Sequence, residues 1–241
     1  MTFLSNGIQS VNIKDNSQLA TDIGTELYDL FLNKEYDRLI PLLEKAIEIN
    51  PNNVAAIHSM GFVLSASGFS EKSLIYFEKA IKMNPNNDMY HYNYGLAYYR
   101  LKEYPKAIDE YSKAIKINSA HSLAFYNRAL AYAESRDFES AIKDYDKELT
   151  INGEQARIYN NRGRCYMMLT EYEQALNDYN KALEIEPTHR NALYNRGLLY
   201  IRMELLDKAC VDLQKAAELG NDEAKYIMSE FGLFCSDENS H

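Results

Sequence analysis

The sequence predicts an all-α solenoid of six stacked helical hairpins closed by one further capping helix. Three observations carry that prediction. The chain repeats itself at a constant shift of 34 residues, with no insertion or deletion across six frames. Each frame holds two stretches of helix-period apolar residues separated by turn signals, so each helix has one face to bury. Small residues recur at one place on each helix, where a neighbouring backbone can approach closely.

The frames run 20–53, 54–87, 88–121, 122–155, 156–189 and 190–223. NPNN occurs at Asn50–Asn53 and Asn84–Asn87, and Tyr126–Ala129, Asn160–Gly163 and Tyr194–Gly197 keep the same register. The first frame is the weakest, with Leu27 and Leu39 at both small places and Pro41 in its second helix. Pro41 falls near the first turn, so it should be tolerated. In the third frame the first helix is expected from Asp88 to Arg100, a turn at Leu101–Tyr104, and a second helix from Pro105 to Ile117. Proline in a first turn removes only a donor that had no partner. The fourth frame carries Glu148 where the other five hold alanine. Residues 224–235 read as the amphipathic cap a solenoid needs over its last layer. Residues 1–19 and 236–241 read as a partly disordered extension and a disordered tail.

The eighth place of the frames holds Leu27, Gly61, Gly95, Ala129, Gly163 and Gly197. A mid-helix glycine costs about 1 kcal/mol relative to alanine, so four in phase imply a crossing helix. The twentieth place holds Leu39, Ser73, Ala107, Ala141, Ala175 and Ala209, the matching small surface on the second helix. Larger residues fill the spaces between: Tyr98, Tyr132, Tyr166 and Tyr200 at the eleventh place, and Phe77, Tyr111, Tyr145 and Tyr179 at the twenty-fourth. A lone hairpin cannot bury such faces, so neighbours must stack.

This period, with Gly at eight, Tyr at eleven, Ala at twenty, an aromatic at twenty-four, Ala at twenty-seven and Pro at thirty-two, resembles the tetratricopeptide repeat family. The usual Trp at the fourth place is replaced by Ile23, Ile57, His91, Phe125, Tyr159 or Leu193. The run Lys215–Tyr226 resembles the junction of Sel1-like repeats, which share the architecture. The resemblance implies a right-handed superhelix whose first helices line a concave groove. It also implies a protein-binding scaffold or adaptor without catalytic role, holding an extended peptide or helix of its partner.

On that resemblance the inward-facing places can be read along the chain. The sixth place gives a ladder of Asn93, Asn127, Asn161 and Asn195. Four asparagines sacrifice about 2 kcal/mol of helix propensity. A carboxamide both donates and accepts, which suits the backbone of a peptide; it equally suits bonds to a neighbouring helix, and the sequence leaves both readings open. Tyr92, Tyr126 and Tyr194 flank the ladder. Arg100, Arg157, Arg164 and Arg202 stand on the same wall, which suits a partner with an acidic segment or a terminal carboxylate and equally suits solvated arginines with local Glu partners; the sequence leaves both readings open. The basic clamp of chaperone adaptors is incomplete, since Met89 and Asn161 occupy two of its slots. Arg128, Arg162 and Arg196, at the seventh place, are expected to pack their stems against a neighbouring helix.

A net charge of −9 argues against binding nucleic acid or an acidic membrane surface. No apolar run approaches the ~20 residues that span a bilayer, and residues 1–15 show no secretory leader. Cys165, Cys210 and Cys235 are too scattered for a zinc site or a disulfide framework and read as reduced thiols of a cytoplasmic protein. The five histidines lack metal-ligand spacing. No phosphate loop, dinucleotide fingerprint or nucleophile elbow appears. No cofactor, metal or catalytic residue is therefore expected. The alternative role is a self-associating scaffold, a homo-oligomer paired through the uncapped first repeat.

Overall fold

The computed structural model describes residues 29–230. The extension 1–19, the opening of the first frame (20–28), the end of the cap and the tail lie outside these described residues. Among them, every regular element is an α-helix. The helices are α1 (Tyr36–Ile49), α2 (Val54–Ala66), α3 (Ser70–Met83), α4 (Asp88–Arg100), α5 (Tyr104–Ile117), α6 (Ser122–Glu134), α7 (Phe138–Asn152), α8 (Ala156–Met168), α9 (Tyr172–Ile185), α10 (Arg190–Arg202), α11 (Leu206–Glu218) and α12 (Asp222–Glu230). They form two compact units, Met1–Asn127 and Arg128–His241, divided within α6.

In the first unit α2 pairs with α3 and α4 with α5, and the first helices α2 and α4 also touch. Leu39 and Leu43 of α1 bury against Met60, Val63 and Leu64 of α2, while Ile57, Ala80 and Tyr90 join α2, α3 and α4 in one apolar cluster. Stacking thus buries what one hairpin would expose. Pro41 lies inside α1 without ending it.

In the second unit α8 pairs with α9 and α10 with α11, and α8 touches α10. Ala175 and Tyr179 of α9 pack on Leu199 of α10, and Leu193, Leu213 and Ala216 pack on Ala224 of α12. Asn221 caps α12, its Oδ1 accepting from Ala224 N at 2.8 Å.

The in-phase glycines sit where the second helix crosses. A Cβ built on Gly95 would lie 2.7 Å from Tyr111 Cδ1 and Cε1, and one on Gly163 2.9 Å from Tyr179 Cε1. Tyr111 and Tyr179 are fully buried. We expect Gly95→Ala to destabilise the first unit by about 1 kcal/mol, because overpacking costs about 1–3 and the propensity gain returns about 1. Urea melts of the variant check this; a midpoint equal to or above wild type would show that the ring yields freely.

The turn inside each hairpin is set by a device not read from the sequence. Lys34, Gly68, Lys102, Arg136, Thr170 and Glu204, spaced 34 apart, all have positive φ. Glu103 N bonds to Tyr98 O at 3.0 Å and Lys102 N to Tyr99 O at 2.9 Å, and the bonds Glu171 N to Tyr166 O and Leu205 N to Tyr200 O repeat the pattern. This is the double bond that satisfies the last carbonyls of a helix through one left-handed residue. Only one of the six is glycine, so only one was legible. Thr170 at φ 62° is a β-branched residue in a region that crowds Cβ. Thr170→Gly should stabilise the protein by about 1 kcal/mol, seen as a higher thermal midpoint; a lower one would refute the strain.

Candidate peptide-binding face

The first helices carry the ladder places, and their side chains bond chiefly to each other. In the first unit Asn93 Nδ2 lies 2.9 Å from His58 Nε2. Asn127 Nδ2 donates to Tyr92 Oη at 3.1 Å and to Leu123 O at 2.8 Å. In the second unit Asn195 Nδ2 donates to Asn160 Oδ1 at 2.9 Å, and Asn160 Nδ2 to Asn161 Oδ1 at 3.1 Å. The rule is geometric. A sixth-place asparagine reaches back 35 residues to the fifth place of the preceding hairpin, stitching adjacent first helices together. Of the two roles open for the ladder, the bond to a neighbouring helix is therefore present in both units.

Tyr92 is buried rather than groove-lining, its ring 4.8 Å from that of His121. Tyr126 and Tyr194 are half-buried. Tyr194 lines an open pocket of about 490 Å³ with Asp222, Glu223, Tyr226 and Ile227. That lining is acidic and would repel a carboxylate.

The arginines of this wall differ in how they are held. Arg100 donates to Ser65 Oγ at 2.6 Å. Arg157 donates to Gln155 Oε1 at 3.0 Å and stands 3.9 Å from Glu148, its side chain 42% exposed. Arg164 faces Glu134 at 3.7 Å and is 45% exposed. Arg202 is exposed at the end of α10. Glu148, fully buried where alanine stands elsewhere, accepts from Asn152 Nδ2 at 3.0 Å through Oε1 and leaves Oε2 without a partner.

The seventh-place arginines hold more than their stems in place. Arg128, Arg162 and Arg196 each make a two-pronged bond to Asp144, Asp178 and Asp212 on the second helix of the same hairpin. Arg162 also reaches Asp146, and Arg196 reaches Asn180 at 2.7 Å, both one hairpin back. Burial works against the Arg162 charge, but the hydrogen bonds and field of Asp178 and Asp146 outweigh it and hold its proton more tightly than in water. The signal was in the sequence, because the three aspartates also recur every 34 residues.

The described histidines all bond to the chain itself. Asn93 Nδ2 can only donate, so His58 Nε2 accepts and the ring is neutral. Burial drives its pKa from 6.5 to about 4. His91 contacts two acceptors, Glu110 Oε2 at 2.6 Å and Pro85 O at 3.1 Å, and so is held as a buried cation. Its hydrogen bond to Glu110 raises its pKa against the opposing effect of burial. His121 and His189 cap α6 and α10, their Nδ1 atoms accepting from Ala124 N and Ala192 N. Cys165 is buried, and burial pushes its thiol up to about 12, far from a nucleophile's range. Cys210 is disulfide-bonded, which corrects the reading of three reduced thiols: spacing along the chain does not report which thiols the fold brings within bonding reach.

Family models described as tetratricopeptide repeat match residues 63–122, 123–155, 156–189 and 191–222. No curated protein sequence matches the chain. Among solved structures, MamA is 24% identical, with a TM-score of 0.63 over 66% of this chain and 93% of its own. YrrB, described as a TPR protein with an unusual peptide-binding site, is 22% identical, with a TM-score of 0.65 over 78% and 97%. PilF of Pseudomonas aeruginosa is 20% identical, with a TM-score of 0.72 over 86% and 95%. At such identity the likeness speaks for the fold. No described helix is long and apolar enough to cross a membrane.

Proposed function

The chain belongs to the tetratricopeptide-repeat family, and from that premise we propose that it is a non-catalytic adaptor that holds an extended peptide or helix of a partner protein on the faces of its first helices. The observation that supports this reading most is the pair Arg157 and Arg164. Both are partly exposed, and their ion pairs at 3.9 and 3.7 Å are long enough for a partner's carboxylate to displace. The Arg164–Glu134 pair, exposed on both sides, holds by about 0–1 kcal/mol, whereas a two-pronged arginine–carboxylate bond is stronger and directional. The partner segment is accordingly acidic or ends in a free carboxylate. YrrB, a relative in fold, is described as having a peptide-binding site, which is in keeping with this role.

The test is selection of binders from a displayed library of random dodecapeptides with free C-termini. We expect enriched acidic or carboxylate-terminated sequences, with affinity reduced at least about tenfold by Arg157→Gln plus Arg164→Gln. Failure to enrich any peptide would overturn the reading; enrichment indifferent to both arginines would overturn its acidic specificity.

A further inference from the structure

A pocket of opposite chemistry to the arginine wall lies where α12 closes on α10. Asp222, Glu223, Tyr226 and Ile227 all come from α12, so one flank of a short helix supplies them together, in two i,i+4 pairs. Tyr194 of α10 supplies the facing side, and the open space between is about 490 Å³. Tyr194 and Ile227 also rest on the buried cluster of Leu193, Leu213, Ala216 and Ala224, which gives the pocket an apolar footing. Its rim is charged. Asp222 Oδ1 accepts from Lys225 Nζ at 2.8 Å, with the two side chains 86% and 59% exposed, a pair that a competing cation can displace. Among the described residues no hydrogen bond or ion pair engages Glu223. Burial first, and then the charge of Glu223, raise the Tyr194 hydroxyl above its ordinary range, so that carboxylate stands within electrostatic reach of the ring.

We propose that this pocket takes the cationic side chain, lysine or arginine, of a partner protein, its charge beside the Asp222 and Glu223 carboxylates and its stem against Tyr194, Tyr226 and Ile227. A carboxylate would meet two charges of its own sign. A purely apolar group would strip water from those carboxylates and return nothing for it. A basic side chain satisfies both parts of the lining, because its stem is apolar and its head is charged. Tyrosine faces attract a cation as well. The nearby positive charges, Lys225 and Arg190, both act on Asp222 and hold its carboxyl below the ordinary range, the hydrogen bond from Lys225 most of all. Glu223 is left as the uncompensated charge. The net charge of −9 draws a basic partner in the same sense. That the occupant belongs to a protein rests on the adaptor reading; that it is cationic rests on the pocket alone.

The test uses the full chain labelled with carbon-13 at the isoleucine δ1 methyl groups, with the Ile227 resonance identified by its loss in Ile227→Val. The probes are the Nα-acetyl methylamides of lysine, arginine, norleucine and glutamate, which differ only in the side chain. We expect the lysine and arginine probes to move the Ile227 resonance saturably, the norleucine probe to bind about fivefold or more weakly, and the glutamate probe to leave it unmoved. Asp222→Asn plus Glu223→Gln should weaken the two cationic probes about fivefold or more, and Tyr226→Leu should weaken them with both carboxylates kept. All three positions are outside the buried core, so thermal melts of the variants should match wild type. No movement of Ile227 with any probe would remove the site. Equal binding of lysine and norleucine, or indifference to the loss of both carboxylates, would show an apolar pocket and overturn the cationic occupant. These outcomes leave the selection of acidic peptides at Arg157 and Arg164 untouched, so the two readings fail separately.

Discussion

Arg162→Met is expected to destabilise the second unit by about 3–5 kcal/mol, the cost of removing one member of a buried charge pair and stranding the other. Asp178, its two-pronged partner, has a side chain only 1% exposed, and Arg162 itself is 16% exposed. Methionine fills much of the space of the arginine stem, so packing is not the main loss. What remains is a carboxylate without a donor in a place water does not reach. The companion variant Arg162→Met with Asp178→Leu removes both charges and should recover most of the loss, since apolar replacement of a whole buried pair is often neutral or better. The exposed pair Arg38–Glu35, 63% and 38% exposed, serves as a control in which Arg38→Met should change little. Urea unfolding of the variants decides the matter. A single variant as stable as wild type would mean that Asp178 is satisfied some other way.

Acid should weaken the first unit through His58. Its pKa in the folded chain is about 4, below the ordinary 6.5, because the ring is buried and neutral. A histidine with a depressed folded pKa binds its proton better when unfolded. Its stabilising contribution is therefore whole above pH 6.5 and is lost as pH falls toward about 4. Over that window the loss approaches about 3 kcal/mol, at roughly 1.4 per pKa unit. The geometry gives the same direction, since a proton on Nε2 would meet the Asn93 amide donor and break the stitch between α2 and α4. His121 is also lowered, first by burial, and adds in the same sense. His91 opposes them: its pKa is raised, so its contribution is whole below 6.5 and is lost as pH rises through its folded value. Denaturant melts from pH 7 to pH 4, followed by hydrogen exchange in α4, should show a steep acid limb that His58→Gln flattens. Parallel limbs for the two proteins would refute the assignment.

The 34-residue period, the hairpin in each frame and the glycines under the crossing helices were legible because each is a local property repeated in phase. Close approach needs a missing Cβ, and Gly95 beneath Tyr111 states that need in one letter. The left-handed turn residues were hidden, since Lys102, Arg136, Thr170 and Glu204 adopt a conformation their types do not advertise. The capping roles of His121 and His189 were hidden likewise.

The sequence by itself determined which residues share a helix, a place and a period, for these follow from chain geometry and the burial of apolar faces. Only the tertiary structure decided how polar atoms are spent. Whether the Asn127 amide turns to a ligand or to Tyr92, and whether Arg162 reaches solvent or Asp178, depends on distances between packed helices. A hydrogen bond needs its partner within about 3 Å, and that separation is fixed by stacking, not by any spacing along the chain.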